Sequence, residues 1–456
     1  MAVTDPHLPR ELLAILSRYR EASLEAYIVG GSLRDHLLGK APTDYDIATA
    51  ATPEQTAALF PSHKVIPTGV KHGTVTLLYG DRSYEITTFR TEGGYSDARH
   101  PDRVCFTNSI EKDLSRRDFT VNAIAYSPIN NRWVDPFNGR GDLDKRLLRA
   151  VGDPTRRFEE DPLRILRGVR FLCRLGFTCD DATAEAMLSL SGRLKSVSAE
   201  RISSELLGCL TGDHLVPVFA RFAPVIFAIL PELYPTYRYD QRNPRHDFPL
   251  YTHLCRTAAA LPENDPILRL TGLLHDIGKP LTFTVDTDGV AHYPRHAQTS
   301  ASLADELLLR LRFPTFDRQR IVTLIHYHDG VIEESEKAVR RRLQKLGRER
   351  FFDLLLLQEA DRASQKEKTA PSSSIPRLRE IAEEILQAPP CFSVTDLAVD
   401  GHDMMSLGYK GKEIGAALSY LLDAVIDGNC ENEKTQLLSY LLRGFTPPRE
   451  NRGTNG

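Results

Sequence analysis

The chain has 456 residues, of which 41% are hydrophobic and 26% are charged, and 58 basic residues nearly balance 61 acidic ones. This composition is typical of a globular protein of several domains, and the net charge of −3 gives no overall preference for nucleic acid. No apolar run approaches the roughly 20 residues that cross a bilayer, and the first residues lack the pattern of a secretory signal. Seven cysteines without a Cys-x-x-Cys pair favour reduced thiols, so we expect a cytoplasmic protein with no membrane partner.

The first 150 residues alternate helical and strand patterns. The elements predicted there are a helix over 8–20, a strand over 26–29, a helix over 32–38, a strand over 45–48, a hairpin of 72–80 and 83–90, and a turn-rich loop over 133–143. From about residue 151 the pattern is helical, with punctuated connections at 231–249 and 366–376. We therefore expect an α+β fold, with a small head of mixed sheet and helices followed by an all-helical remainder.

An acidic pair close to a glycine pair is the first sign of chemistry. On a strand, Asp44 and Asp46 would present both carboxylates on one face, where they can bind Mg²⁺. The Gly30-Gly31 turn enters a helix, so its backbone N–H groups can approach phosphate oxygens, and Arg34 adds a positive charge there. A phosphate-binding turn beside a pair of metal-binding carboxylates predicts the transfer of a nucleotidyl group.

Later segments supply further polar groups for the same site. Glu85, on a later strand, is a third carboxylate that could complete the metal cage or act as general base. In the segment 113–126, Arg117 suits phosphate and Asp118 suits ribose hydroxyls, with Asn122 following closely. A solvated glutamate and a structural ion pair are the alternatives.

An arginine stripe follows in residues 158–177, FEEDPLRILRGVRFLCRLGF. Taken as one helix, this segment has an apolar face opposite a face that carries four arginines: Arg164, Arg167, Arg170 and Arg174. Because like charges on one face repel, an anionic partner explains the stripe better than solvent does. Asp161 and Arg164 offer an acceptor and a donor to the edge of a base.

Six ordered motifs carry a family resemblance over residues 10–215: GGSLRDHLLG…DYDIAT, HGTVT, RRDFTVNAIAY, DPFNGRGDL, EDPLRILRGVRF and ERISSELLGCL. In this order they resemble class II tRNA nucleotidyltransferases, the CCA-adding enzymes that share a polymerase-β-type head with bacterial poly(A) polymerases. The resemblance implies that Asp44 and Asp46 bind Mg²⁺ and that CTP or ATP contacts Gly31, Arg34, Arg117, Asp161, Arg164, Arg167 and Arg170. It also implies that tRNA is the partner and that 91–109 is a mobile loop that helps to switch from C to A.

Histidine and aspartate residues form a second constellation in residues 246–365. The candidates are His253, His275, Asp276, His296, His326, His328 and Asp361, and such ligands suit Mn²⁺, Fe²⁺, Ni²⁺, Zn²⁺ or Mg²⁺. A metal-bound water can attack a phosphoester. The segment resembles an HD-superfamily phosphohydrolase. This resemblance implies that all of these residues except His326 are metal ligands, and His326 is ranked below His328 as a candidate. Related enzymes with this module are associated with phosphatase or 2′,3′-cyclic phosphodiesterase activity; a retained fold without turnover is the alternative.

The expected domains are a nucleotidyltransferase head over 1–150, a helical neck over 151–230, an HD domain over 246–365 and a helical tRNA-binding tail over 377–456. In the tail, residues 408–412 offer a phosphate contact or are simply a surface loop. The function predicted is addition of C, C and A to the 3′ end of tRNA. The alternatives are a poly(A) polymerase, an enzyme that adds only A or only CC, a phosphohydrolase whose head merely binds tRNA, and, less favoured, a non-catalytic RNA-binding protein.

Overall fold

The computed structural model describes residues 8–40, 42, 44–93, 103–242, 248–365, 374–387 and 391–446. The chain divides into two compact units, the first made of residues 1–234 and 307–313 and the second of residues 235–306 and 314–456. The segments expected as head and neck lie in the first unit. None of the described helices is long and apolar enough to cross a lipid bilayer.

Short strands and helices alternate in the head. Its strands are β1 (Ala26–Val29), β2 (Asp46–Thr49), β3 (Lys64–Gly69), β4 (Thr74–Tyr79), β5 (Arg82–Thr88), β6 (Arg90–Gly93), β7 (Arg103–Phe106), β8 (Ala125–Ser127) and β9 (Arg132–Val134). Its helices are α1 (Arg10–Glu21), α2 (Gly30–Leu37), α3 (Pro53–Leu59), α4 (Ile110–Ser115) and α5 (Gly139–Asp144). The segment 133–143, predicted as a loop, therefore holds the end of β9 and most of α5, and that prediction was wrong.

Within the described residues, seven of these strands form a mixed sheet in the order β3-β4-β5-β2-β1-β8-β9. β2 and β5 are parallel, with Asp46 opposite Glu85, and the other neighbours in the sheet are antiparallel. The predicted α+β head with a mixed sheet is confirmed, as is the hairpin of β4 and β5. β6 and β7 pair with each other on either side of residues 94–102, so the centre of the predicted mobile loop lies outside the described residues.

Local sequence explains where the first helices form. α1 buries Leu12, Ile15, Leu16 and Tyr19, the one-sided spacing of an amphipathic helix. α3 begins at a capping box, in which Thr52 and Gln55 satisfy each other's backbone N–H groups. An apolar cluster in the head combines residues of the sheet, of α4 and of the connecting segments: Tyr27, Val29, Ala48, Phe89, Ile110, Leu114, Ala123, Ala125, Val134 and Val151.

Gly139 marks a close approach within this head. A Cβ atom at this position would lie 2.1 Å from the Thr120 carbonyl oxygen, so the backbone itself would have to move. We expect Gly139→Ala to lower the free energy of unfolding by about 1–3 kcal/mol, the usual cost of overpacking a tight site. Chemical denaturation of both variants would measure the loss against Gly192→Ala, where a Cβ would meet no atom within 4 Å. Equal stability of the two variants would contradict this account.

Helices dominate the rest of the first unit: α6 (Pro154–Glu160), α7 (Leu163–Leu175), α8 (Asp181–Ser189), α9 (Ala199–Leu210), α10 (Leu215–Arg221) and α11 (Ala223–Ile229). The single helix expected over 158–177 was wrong, because Asp161 and Pro162 separate α6 from α7. Asp161 has φ −140° and ψ 100°, the extended backbone that a residue before proline favours. A short parallel ladder of β10 (Leu147–Leu148) and β11 (Thr178–Cys179) joins this region to the head.

The helices that follow are α12 (Leu250–Ala260), α13 (Pro266–Leu274), α14 (His296–Arg310), α15 (Thr315–Tyr327), α16 (Glu336–Leu346), α17 (Arg348–Ala363), α18 (Ser374–Gln387), α19 (Gly401–Ser406), α20 (Lys412–Ile426) and α21 (Lys434–Gly444). One hairpin, β12 (Thr284–Val285) with β13 (Ala291–His292), interrupts them, so the remainder of the chain is not entirely helical as predicted. The second unit has one apolar cluster around Leu343 and Phe351, and another around Leu421 and Leu437.

Candidate active site

Three carboxylates gather where the parallel strands β2 and β5 lie side by side. Asp46 begins β2 in register with Glu85, and Asp44 lies in the exposed bend before the strand. Desolvation raises the pKa of Asp46, and the negative charges of Glu85 and Asp44 add to this effect while Arg117 opposes it. A divalent cation among these oxygens would relieve the repulsion, so the residues fit the metal that this arrangement requires.

The glycine pair brings the start of α2 against these carboxylates. Gly30 has a φ of +76°, and a Cβ atom there would lie 3.0 Å from Asp46 Oδ2. A larger residue would strain the backbone and crowd the carboxylate. At Gly31 a Cβ would lie 3.5 Å from Arg34 Nη2, one turn along the same helix. The turn thus keeps the amino end of α2 open beside the acidic groups, an arrangement that suits phosphate.

A cavity of about 720 Å³ lies in front of the carboxylates. The predicted residues in its wall are Gly31, Arg34, Asp46, Glu85, Arg117, Asp118, Asn122, Asp161, Arg164, Arg167 and Arg170. Of the residues predicted for this site, only Asp44 is not part of the wall. Positions more than 100 residues apart in the chain therefore share one space, which the order of the motifs alone could not establish.

A hydrogen-bond network links the predicted phosphate and ribose groups. Arg34 Nη1 donates to Asn122 Oδ1 at 2.9 Å, and Asn122 Nδ2 donates to Asp118 Oδ1 at 3.1 Å. Arg117 Nη2 donates to Asp113 Oδ2 at 3.2 Å. Asp113, a residue not predicted for the site, is buried and thus fixes the guanidinium of Arg117 from behind.

Asp118 and Arg167 form an ion pair with two hydrogen bonds in this wall. Arg167 Nε and Nη2 both donate to Asp118 Oδ2, at 2.9 and 2.7 Å. Burial opposes the charged form of Asp118, but the Arg167 guanidinium and the Asn122 amide outweigh it and hold the pKa of this carboxyl below its ordinary value. Asp118 is therefore ionised at neutral pH and keeps Arg167 at the cavity.

Three of the four arginines of α7, Arg164, Arg167 and Arg170, are paired within the protein, and Arg174 is exposed. Arg164 is only 8% exposed. Its guanidinium donates to Glu160 Oε2 at 2.9 Å and to the carbonyl oxygens of Arg157 and Arg116 at 3.1 and 3.0 Å. Part of the charge repulsion that the sequence pattern implied is thus relieved by neighbouring carboxylates and carbonyl groups.

Phe171 is an apolar residue that lies among the arginines of α7. It is 7% exposed, and the guanidinium carbons of Arg170, Arg34 and Arg167 lie 5.0, 5.2 and 5.8 Å from its ring centre. Cation–π contacts at such distances stabilise and orient guanidinium groups. The sequence signal for this packing role is an aromatic residue on a charged helical face. That signal does not identify the three arginine partners, because Arg34 comes from α2 while Arg167 and Arg170 belong to α7.

Sequence reasoning missed two residues of α9 beside the cavity. Arg201 Nη2 donates to Asp161 Oδ2 at 2.9 Å, and Glu205 Oε2 lies 2.9 Å from Arg170 Nε. Both residues belong to the sixth motif, but nothing local in that motif indicates which charged groups they meet. Their partners became evident only from the packing of α9 against α7.

The second unit gathers the six predicted metal ligands in one buried cluster. Two groups of three residues have ligand atoms that lie within 4.8 Å of one another. One group is His253, His275 and Asp276, and the other is Asp276, His296 and His328. Asp361 Oδ1 lies 3.0 Å from His253 Nε2. The remaining candidate, His326, is exposed and belongs to neither group.

Hydrogen bonds from Nδ1 to backbone carbonyl oxygens fix the orientation of three of these imidazoles. The Nδ1 atoms of His275, His296 and His328 lie 2.8, 2.7 and 2.7 Å from the carbonyl oxygens of Gly272, Tyr293 and Ile325. Because Nδ1 donates that bond, Nε2 is the ring nitrogen that faces the cluster, and it would bind a metal after losing its proton, as metal-ligating histidines do.

The electrostatics of the cluster also fit a cation. Asp276 Oδ1 lies 3.2 Å from the Nε2 atoms of both His296 and His328, and Asp276 Oδ2 lies 3.3 Å from His275 Nε2. Burial disfavours the charged form of His275, but Asp276 and Asp361 raise its pKa to about 10. Lys279, which the sequence analysis did not select, is also buried, with Nζ 2.5 Å from Asp276 Oδ2.

Three family profiles match the chain: the poly(A) polymerase head domain over residues 26–149, the RNA- and SrmB-binding site of polymerase A over 176–223, and domain 2 of tRNA nucleotidyltransferase over 299–441. The CCA-adding enzyme of Lactobacillus helveticus is 48% identical over 210 residues, which are 46% of this chain and 52% of that one. The CCA-adding enzyme of Streptococcus pyogenes is 48% identical over 212 residues, with the same two shares. The chain thus matches about half the length of these curated relatives.

Solved structures extend the similarity to nearly the whole chain. The CCA-adding enzyme of Bacillus stearothermophilus in complex with CTP is 28% identical, with a TM-score of 0.70, and the match covers 95% of this chain and 96% of that one. The Thermotoga maritima CCA-adding enzyme complexed with tRNA, at 20% identity and a TM-score of 0.58, shares the fold over the same extents. The profiles, the relatives and the fold agree with the six motifs, and over most of its length the chain is similar to the tRNA nucleotidyltransferase and poly(A) polymerase family.

Proposed function

We propose that this protein adds C, C and A to the 3′ end of tRNA, using CTP and ATP and releasing pyrophosphate. The single observation that carries the proposal is the cavity that joins the carboxylates of β2 and β5 to the arginines of α7 and to Asp161. Such a space offers metal ligands, phosphate partners and base-edge groups to one nucleoside triphosphate. The relative crystallised with CTP supports this assignment over nearly the full chain.

In this mechanism the terminal 3′-hydroxyl of tRNA attacks the α-phosphorus, and the bond to the leaving pyrophosphate breaks. Arg34 and Arg117 bind the phosphates beside the amino end of α2, and Asp118 and Asn122 hold the ribose side of the nucleotide. Glu85 is placed to accept the proton of the attacking hydroxyl or to complete the metal cage.

Base choice is assigned to other residues of the same cavity wall. Asp161 and Arg164 read the edge of C or A, and Arg167 and Arg170 support them. A base with the wrong hydrogen-bond pattern would leave these groups unpaired, at a cost of about 1–3 kcal/mol for each buried group.

Asp44 and Asp46 would hold Mg²⁺, a hard cation that prefers carboxylate oxygens. When bound, the metal supplies Lewis acidity and charge neutralisation to the phosphoryl group. The carboxylate repulsion that raises the pKa of Asp46 is the property of this chain that favours such an ion.

We place the head at residues 1–150, the neck at 151–230, an HD domain at 246–365 and a tRNA-binding tail at 377–456. Within the tail, residues 408–412 lie between α19 and α20, where Gly408 and Gly411 both have positive φ. This turn is our proposed phosphate contact, and the cytoplasm is the location that suits a tRNA-processing enzyme.

A tRNA transcript that lacks its CCA end tests the proposal directly. Incubated with CTP and ATP singly and together, it should gain two residues with CTP alone and three with both, as read by length and base. Failure to incorporate CTP would leave a poly(A) polymerase or an A-adding enzyme, and a stop after two residues would indicate a CC-adding enzyme.

A second activity is favoured by the buried His and Asp cluster of the second unit. We propose that it binds a divalent metal such as Mn²⁺, Ni²⁺ or Mg²⁺ and hydrolyses phosphomonoesters or 2′,3′-cyclic phosphates of damaged 3′ ends. The Nδ1 bonds that turn three Nε2 atoms toward the cluster are the supporting observation. Release of phosphate from 2′-AMP, or ring opening of 2′,3′-cyclic AMP, with each metal in turn would test it, and no turnover with any metal would indicate a retained fold only.

A further inference from the structure

Two charged residues of α9 face the base-selecting wall of the cavity. Arg201 and Glu205 are one helical turn apart, and their guanidinium and carboxylate meet groups of opposite sign around α7. Arg201 Nη2 donates to Asp161 Oδ2 at 2.9 Å, and Glu205 Oε2 lies 2.9 Å from Arg170 Nε, with its other oxygen 3.8 Å from Arg167 Nη1. α9 thus contacts the residues proposed to read and support the base.

The contacts are tight enough to determine side-chain orientation. Glu205 is only 8% exposed. A Cβ atom at Gly208 would lie 2.5 Å from Arg170 Cδ, so the arginine stem rests directly on the backbone of α9. The second oxygen of Asp161 accepts the Leu163 N–H at 3.1 Å, so Arg201 and the start of α7 together determine the plane of the carboxylate.

This orientation matters for the chemistry of the bases. C and A each present an exocyclic amino donor beside a ring-nitrogen acceptor, whereas U and G present a carbonyl acceptor beside a ring N–H donor. A carboxylate with a guanidinium beside it complements the first pattern and opposes the second. Each Asp161 oxygen has a further lone pair after its present hydrogen bond, so a base amino group can be accepted without breaking the ion pair.

We propose that Arg201 and Glu205 are positioning residues for base selection, with Arg201 orienting the Asp161 carboxylate and Glu205 orienting Arg170. This inference rests on the proposed nucleotide addition. It assigns to α9 a role in choosing C and A over U and G, and no role in the transfer step itself.

Steady-state addition to tRNA transcripts that end before the second C or before the A tests this assignment. For Arg201→Ala we expect the KM for CTP and ATP to rise about tenfold, the CTP-over-UTP and ATP-over-GTP preferences to fall about tenfold or more, and kcat to change less than about threefold. Glu205→Gln should raise the KM for both nucleotides by a smaller factor. Arg201→Lys, which keeps the charge but loses the planar fork, should recover part of the preference.

Arg193→Ala is the matched control, because Arg193 makes an exposed ion pair with Glu159 and should leave KM and preference unchanged. Unchanged preference in all three α9 variants, with wild-type addition of C and A intact, would overturn only this inference. Wild-type protein that adds neither nucleotide would instead contradict the proposed function. A fall in kcat alone, at constant preference and thermal stability, would also contradict the positioning role.

Discussion

Asp46→Asn is expected to abolish nucleotide addition while the protein stays folded. The substitution keeps the side-chain shape but removes the charge opposite Glu85 that a metal would require. Metal ligation contributes several kcal/mol to charge stabilisation in phosphoryl transfer, so incorporation of CMP and AMP should fall by about a thousandfold or more. Incorporation of labelled CTP and ATP into tRNA lacking CCA, over a range of Mg²⁺ concentrations, measures the loss.

The control lies in the same sheet. Asp81 is exposed in the turn between β4 and β5, and Asp81→Asn should retain full addition. Removal of one member of a repelling carboxylate group should also leave the thermal unfolding temperature of Asp46→Asn unchanged or slightly raised. An Asp46→Asn protein with wild-type incorporation would contradict the assignment of the metal site and would favour a head that merely binds tRNA.

Asp276→Asn is expected to cause the other large effect, which is loss of metal binding by the second unit. This carboxylate lies within 3.3 Å of the Nε2 atoms of His275, His296 and His328. After dialysis against Mn²⁺ or Ni²⁺, the variant should retain less than about a tenth of the wild-type metal, the usual scale for loss of a ligand or its support. Elemental analysis measures the metal, and hydrolysis of 2′,3′-cyclic AMP should fall in parallel.

Asp276→Asn also leaves Lys279 buried beside a neutral side chain, which can cost about 3–5 kcal/mol of stability. Asp361 is a more accessible candidate ligand, so Asp361→Asn is the second test. We expect this variant to lose metal to the same extent. His326→Gln changes an exposed histidine outside the cluster and should bind metal as the wild type does. Wild-type metal content in both aspartate variants would contradict the site, and CMP addition with Mg²⁺ should persist in each.

Local sequence was sufficient for the elements around the acidic pair. Strand and helix patterns on either side of Gly30, and the short hairpin that contains Glu85, depend on alternation and turn residues within a few positions. The structure confirms these elements, with β1 over Ala26–Val29 and α2 over Gly30–Leu37. Glu85 was predicted without a position relative to Asp46, and the parallel pairing of β2 and β5 supplied it.

Periodicity failed where a local break interrupts a regular pattern. The helical projection of residues 158–177 assumed one continuous helix, but the residue before Pro162 is extended and separates α6 from α7. Arg164, Arg167 and Arg170 meet neighbouring carboxylates, and Phe171 packs against Arg167 and Arg170. A projection of one helix contains no information on what the adjacent helix presents.

The sequence by itself indicated the family resemblance, the α+β head, the acidic pair and the set of candidate histidine and aspartate ligands, because each depends on residue type and short spacing. Only the tertiary structure decided that the wall of one cavity holds Gly31, Asp161 and Arg201, that Arg164 is buried, and that Arg201 and Glu205 contact Asp161 and Arg170. The reason is physical: charges separated by tens to hundreds of residues meet only through packing, and the energy of a buried ion pair depends on its partner and its exposure rather than on its place in a motif.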